Sequence, residues 1–205
     1  IELSKFAEKA GSDALLIVTP YYNKPTQEGL YQHYKKINDN VGIPIVIYNI
    51  PSRSVIDMTV ETMTKLYELK NIIGVKDATG DLKRVELQKK SMGKEFIQLT
   101  GNDDNALEFN KLGGVGAIGV TANIAAKLSS EFQKACVEDK EKAFELDKIL
   151  QPLHAAMFVE SNPSPVKYAA SLLKMCDANV RLPLVEVQEV NKKKISKALK
   201  DAKIL

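Results

Sequence analysis

An α/β fold is predicted by two observations. Short, almost continuously apolar segments recur between residues 14 and 120, and each is followed by a stretch whose apolar residues repeat at helical spacing. Beyond Asn123 the apolar segments stop and only helical patterns remain. Segments apolar throughout fit strands buried on both faces of a parallel sheet. Strand, loop and helix recurring at roughly 25–30 residues fit βα units.

The expected strands are residues 14–19, 44–48, 72–75, 96–100 and 116–120. The first intervening helix, 26–40, carries Leu30, Tyr34 and Ile37 at spacings of four and three. The next, 59–69, has Asp57 and Thr59 as candidate caps and repeats Val60, Met63 and Leu66. Asp81 is placed to cap a helix over 82–92, and a short helix over 105–112 ends at Gly113-Gly114. The closing helices are expected at 125–137, 140–158, 165–175 and 185–203. The run Asn162-Pro163-Ser164-Pro165 makes a turn, because a residue before proline avoids the helical region.

The 205 residues are 44% apolar and 27% charged, an ordinary globular composition, with a formal net charge of +3. Interspersed charges of that size give no ground for a nucleic-acid or membrane partner. The densest basic run, Lys192-Lys193-Lys194 with Lys197 and Lys200, reads as the solvated face of a helix. Cys136 and Cys176 lack metal-ligand spacing and read as small buried residues of a reducing compartment. His33 and His154 have no ligand partner at i+4, so no metal site is expected. No signal peptide and no run of bilayer length is seen, so a cytoplasmic location is expected. The chain opens on Ile1 rather than methionine, which reads as a fragment, a processed product or a trimmed chain.

Five parallel strands fit an open doubly wound sheet or part of a (β/α)8 barrel. No G-x-G-x-x-G or P-loop follows a strand, and Gly113-Gly114-Val115-Gly116 precedes one instead of opening a helix. Polar residues gather at successive strand ends: Thr19 to Asn23, Tyr48-Asn49, Lys76-Asp77 and Gly101 to Asp103. Such a series marks the active face of a barrel. Residues 1–123 therefore read as a partial (β/α)8 barrel, and 124–205 as the last barrel helix with a C-terminal helical extension.

Lys76 is the centre of this series. At the end of a short apolar strand its ammonium is disfavoured, and a neutral amine near a carbonyl forms a Schiff base. The alternative is a lysine whose stem packs while its head reaches solvent. Tyr48, one strand earlier, either relays a proton or packs with a single hydrogen bond. Tyr21 and Tyr22 are neighbours on an extended turn, so at most one faces the barrel mouth. Arg53 either grips a carboxylate or is an ordinary surface arginine. Gly101 admits a ligand to the backbone or makes the βα turn. Ile118 lies in a glycine-rich segment that offers backbone groups or only close packing.

Taken together, V-T-P-Y-Y-N (residues 18–23), I-Y-N-I-P-S-R-S (47–54), G-V-K-D-A-T-G (74–80), T-G-N-D-D (100–104), G-A-I-G-V-T-A-N (116–123) and F-V-E-S-N-P-S-P-V-K (158–167) resemble the dihydrodipicolinate synthase family of pyruvate-dependent class I aldolases. The motifs run the whole chain in order. The resemblance implies a (β/α)8 barrel, of which this chain holds about the last five βα units. It implies that Lys76 forms an imine with pyruvate, with no other cofactor and no metal. Tyr48 would shuttle protons, and Tyr22 would reach into a neighbouring subunit's site within a homo-oligomer, a dimer or a tetramer. Arg53 would orient the carboxylate of aspartate semialdehyde. Gly101 and the backbone of Ile118 would line the pyruvate pocket, and Tyr21 would lie near the subunit interface. The implied reaction is condensation of pyruvate with aspartate semialdehyde in lysine (diaminopimelate) biosynthesis. The alternatives are a sibling lyase of N-acetylneuraminate or a keto-deoxy sugar acid, and an inactive fragment acting as an assembly partner.

The sequence departs from the family pattern at Asp77, where glutamate is common, at Gly119, where serine is common, and at Ser164, where a larger apolar residue is common. It also holds no G-T-T-G-E loop, whose threonines would bind the pyruvate carboxylate. About three βα units of roughly 30 residues each are expected outside it. An open barrel is expected to leave Lys76 wetter and largely protonated, and the chain alone poorly active.

Overall fold

Five strands form one parallel sheet in chain order: β1 (Leu15–Val18), β2 (Ile45–Asn49), β3 (Ile72–Asp77), β4 (Ile97–Thr100) and β5 (Gly116–Ala117). The coordinates are a computed structural model describing residues 1–205, which fall into two compact units, Ile1–Ile118 and Gly119–Leu205. No helix is long and apolar enough to cross a membrane.

In the first unit, α1 (Glu2–Lys9) precedes β1. Then α2 (Gln27–Asn38), α3 (Pro51–Ser54), α4 (Val60–Tyr67), α5 (Lys83–Met92) and α6 (Ala106–Lys111) follow the first four strands. Thr26 and Thr59 cap α2 and α4 by accepting from the amides of Gly29 and Thr62, as such residues do at helix starts. Of the two cap candidates for α4, Thr59 takes the role, while the Asp57 carboxylate is engaged by Asn49 and Arg84. Neither α1 nor α3 stands out in the sequence as a helix. The first has no capping side chain, and the second is a single turn opened by Pro51.

Side chains alternate across the sheet, apart from a register shift between β2 and β3 at Ile45/Val46 that lets Ile72 and Val75 share a face. Leu15, Ile45, Ile47, Ile72 and Val75 pack with Leu30, Tyr34, Ile37, Met63 and Leu66 of α2 and α4. Fully burying such a side chain contributes about 1.5–3 kcal/mol, so this layer is the main stabilising contact of the unit. The opposite face carries Leu16, Val18, Tyr48, Lys76 and Ile118. Burial on both faces holds along β3, but Leu16 and Val18 of β1 are exposed because an edge strand has a neighbour on one side only. The last strand is shorter than expected, ending at Ala117, although the amide of Ile118 still donates to the Thr100 carbonyl at 2.9 Å.

The second unit comprises α7 (Ala126–Glu138), α8 (Lys140–Met157), α9 (Ser164–Leu172) and α10 (Glu189–Asp201). Leu150, Leu153, Met157, Ile195 and Leu199 are its buried centre. The final helix starts later than its apolar spacing suggests. The Val185 carbonyl accepts from Ser164 Oγ at 2.8 Å, and the Gln188 amide donates to Glu160 Oε1 at 2.9 Å, which hold that segment out of helix. Because α9 stops at Leu172, Cys176 falls in a loop and is exposed, and Cys136 is only partly buried. The expectation that both cysteines are buried is therefore corrected.

Gly74 is required by the approach of β4 to β3: a Cβ there would lie 2.3 Å from the Ile97 carbonyl oxygen. Gly74→Ala is expected to lower stability by about 1–3 kcal/mol, the usual range for overpacking. Denaturant unfolding checks this, and an unchanged midpoint would show that β4 shifts freely.

Candidate active site

Register brings the central pair together. Tyr48 on β2 is the partner of Lys76 on β3, so both project from the same face at neighbouring strand ends. Lys76 Nζ stands 4.0 Å from the centre of the Tyr48 ring, a cation–π distance. The amine thus meets the ring face of Tyr48.

On the other side of Lys76, β4 ends at Thr100, and Gly101 follows with its amide donating to the Asp77 carbonyl at 2.7 Å. A Cβ on Gly101 would lie 2.7 Å from Ala78 Cβ and 3.1 Å from Lys76 Cε. The missing side chain is therefore the space in which the lysine stem lies. This is more specific than either role read from the sequence, backbone access for a ligand or a simple turn.

Lys76 is 9% exposed. Burial lowers its pKa from the ordinary 10.5, and the charge of Asp103, just beyond β4, works in the opposite direction. The expectation that an open sheet leaves this lysine wet is overturned: the Tyr48 ring and the Gly101 turn cover it within the first unit. Asp103 is buried, and periodicity alone did not mark it as Lys76's counter-charge. The Tyr48 phenol is raised by burial, with the positive charge of Arg53 opposing the shift. Arg53 is thus within electrostatic reach of the site.

Arg53 sits on α3, which closes on Val55 at φ 64°, an unusual conformation for a β-branched residue. Buried Ser54 holds its Oγ 2.9 and 3.0 Å from the carbonyls of Ile50 and Ile56 and pins the loop. Tyr21 and Tyr22 are both exposed, at 67% and 91%. Tyr22 has φ 67°, and the Asn23 amide donates to the Tyr21 carbonyl at 2.8 Å, forming a three-residue turn of a rare, strained kind. Ile118 is 41% exposed on the same sheet face as Lys76. Its amide donates to the Thr100 carbonyl at 2.9 Å. The structure thus brings Lys76, Tyr48, Gly101 and the charge of Arg53 together, while the two tyrosines of the turn point to solvent.

A lysine with a lowered folded-state pKa leaves its mark on stability. The unfolded chain holds that proton more tightly, so stability rises as pH climbs from the folded pKa towards 10.5 and is reduced below that window. Lys76→Met is expected to raise the thermal midpoint at pH 7 and to remove this part of the pH dependence. A lower midpoint would mean that the ammonium contributes stability, and that burial is not its dominant influence.

The sequence pattern defining the Dihydrodipicolinate synthetase family matches residues 1–202. The 4-hydroxy-tetrahydrodipicolinate synthase of Pelagibacter ubique is 68% identical over 209 residues, spanning 100% of this chain and 71% of that protein. The synthase of Parvibaculum lavamentivorans is 55% identical, with 100% and 71% covered. Among solved structures, dihydrodipicolinate synthase from Thermotoga maritima superposes with a TM-score of 0.95 at 39% identity, covering 100% of this chain and 71% of that one. The chloride-inhibited enzyme from Acinetobacter baumannii, complexed with pyruvate, gives 0.96 at 44% identity, with 100% and 70% covered. The fold is that of these enzymes, an α/β barrel segment with a C-terminal helical part. The chain belongs to the dihydrodipicolinate synthetase family.

Proposed function

We propose that this protein is a lyase that condenses pyruvate with aspartate semialdehyde through an imine on Lys76, in lysine biosynthesis. The observation that carries the reading is the buried Lys76 amine against the Tyr48 ring, at paired strand ends. Burial lowers its pKa, the direction that favours the neutral amine the chemistry needs.

The amine adds to the pyruvate ketone, and loss of water leaves a protonated imine. The imine draws electrons from the methyl group, which gives up a proton to form an enamine. The enamine carbon attacks the aldehyde, whose oxygen takes up a proton. The amino group of the semialdehyde part then adds to the imine carbon, releasing the Lys76 amine and closing the ring of 4-hydroxy-tetrahydrodipicolinate. In this reading the electron sink is the covalent imine, so no dissociable cofactor enters.

Tyr48, its phenol pKa raised by burial, moves protons to and from the adduct. Arg53 receives the carboxylate of the semialdehyde. Its charge is felt at Tyr48, which supports a second-substrate position beside the pair. A sugar acid offers no carboxylate at that point. Gly101 keeps room for the lysine stem, and the Ile118 carbonyl borders the pyruvate site. Tyr22 is offered outward from a strained turn, as suits a side chain used by another subunit of a homo-oligomer, with Tyr21 beside that contact.

Borohydride reduction in the presence of pyruvate, followed by peptide mass spectrometry, is expected to mark Lys76 and to leave Lys76→Arg unmarked. An adduct on another lysine overturns the assignment. Arg53→Ala is expected to reduce turnover of aspartate semialdehyde roughly ten- to a hundredfold, the scale of a lost charge-assisted pair, while pyruvate trapping stays near parental. Equal damage to both steps would mean that Arg53 holds its loop instead.

A further inference from the structure

We propose that Arg84 is a positioning residue that holds Lys76 and Tyr48 in their reactive relation from behind the sheet. The proposal rests on the reading of Lys76 as the imine lysine.

The argument begins with the residues that follow the pair. Asn49 follows Tyr48 and Asp77 follows Lys76, and these two are also register partners. Strand alternation turns both away from the site face, towards α5 and the loop after α3. Both are buried, at 0% and 6% exposure. Any rotation of the backbone at Asp77 or Asn49 is transmitted to the reactive side chain one residue earlier.

Both are locked by hydrogen bonds that meet at Arg84. Asp77 Oδ1 accepts from the Thr79 amide at 2.9 Å and the Thr79 hydroxyl at 2.6 Å. Its Oδ2 accepts from Arg84 Nε at 2.9 Å and Gln88 Nε2 at 3.1 Å. Four donors therefore surround this carboxylate. The remaining arms of Arg84 reach Asp57 Oδ2 at 3.3 Å and the Met58 carbonyl at 2.7 Å. Asp57 Oδ1 in turn accepts from Asn49 Nδ2 at 2.7 Å, and Asn49 Oδ1 accepts from the Met58 amide at 3.1 Å. The Asn49 carbonyl accepts from the Ala78 amide at 2.8 Å, which closes the ring back to β3.

This is a closed circuit from the end of β2, through Asp57 and Met58 in the loop after α3, to the end of β3. A planar guanidinium can serve its three acceptors at once, whereas an ammonium is a point charge that cannot reproduce the fork. Stability alone is a poor reason for such a group, because a buried ion pair often contributes no more than apolar packing would. What the circuit does provide is a fixed angle between two neighbouring strand ends, and that angle sets the distance between the Lys76 amine and the Tyr48 phenol.

Exchange of the methyl protons of pyruvate with D2O, followed by NMR, reads the imine and proton-transfer steps without the second substrate. In the full chain, Arg84→Lys is expected to slow exchange roughly ten- to a hundredfold, the scale for a misplaced catalytic group, with half-saturation by pyruvate little changed. Asp57→Asn removes one arm at a half-exposed carboxylate and threatens folding less; it is expected to slow exchange in the same direction by a smaller factor. Both are measured well below the unfolding midpoint. Parental exchange in both variants, with only the midpoint lowered, overturns the proposal and makes the circuit a packing device. If Arg84→Lys does not fold, Asp57→Asn decides alone, and parental exchange there overturns it. Absence of exchange in the parent protein overturns the Lys76 reading and the clamp with it.

Discussion

The candidate site depends on keeping one amine dry. Lys76 follows the apolar run Ile72 to Val75 and precedes only Asp77 at the end of β3, its head lies over the Tyr48 ring, and its stem lies in the space left by Gly101. Desolvation lowers the pKa, the direction that favours the nucleophilic neutral amine, and the same desolvation costs stability in the folded chain. The surrounding features follow from this. Gly101 must lack a side chain, β3 must sit close against β4 through Gly74, and the charge of Asp103 opposes the shift without cancelling it.

A second constraint is division of labour across the sheet. Alternation sends Tyr48 and Lys76 to one face and Asn49 and Asp77 to the other. The rear face then carries the hydrogen-bonded cluster, away from the reactive side chains. Thr79, Gln88 and Arg84 surround the Asp77 carboxylate, so a charge adjacent in sequence to the nucleophile is neutralised on the far side of the sheet.

Much of this was legible in the sequence, for physical reasons that differ by element. The strands were visible because their apolar runs are packed against α2 and α4, and Thr26 and Thr59 announced their helices through cap chemistry. Lys76 and Tyr48 were visible because polar residues at strand ends have little other reason to recur. The Arg84 circuit was not, because its members come from three separated segments: Asn49 and Asp77 showed only as strand-end polar residues, Asp57 as a candidate cap, and nothing in the spacing joins them to Arg84. The small helix at Pro51–Ser54 was hidden by its length, and its φ 64° terminus at Val55 runs against local preference. The dryness of Lys76 was misjudged because strand count suggested exposure. A ring and a glycine turn next to it supply the cover, and neither depends on how many strands the sheet has.

The claim underlying all of this is that the Lys76 amine titrates below an ordinary lysine. Labelling Lys76 at Cε and following its chemical shift through a pH titration of the ligand-free protein reads that pKa directly. The account predicts a midpoint below 10.5, moving lower still in Asp103→Asn, where the opposing charge is removed. A midpoint at or above 10.5 would contradict it, since the amine would then be held as an ammonium and the site would lack its nucleophile.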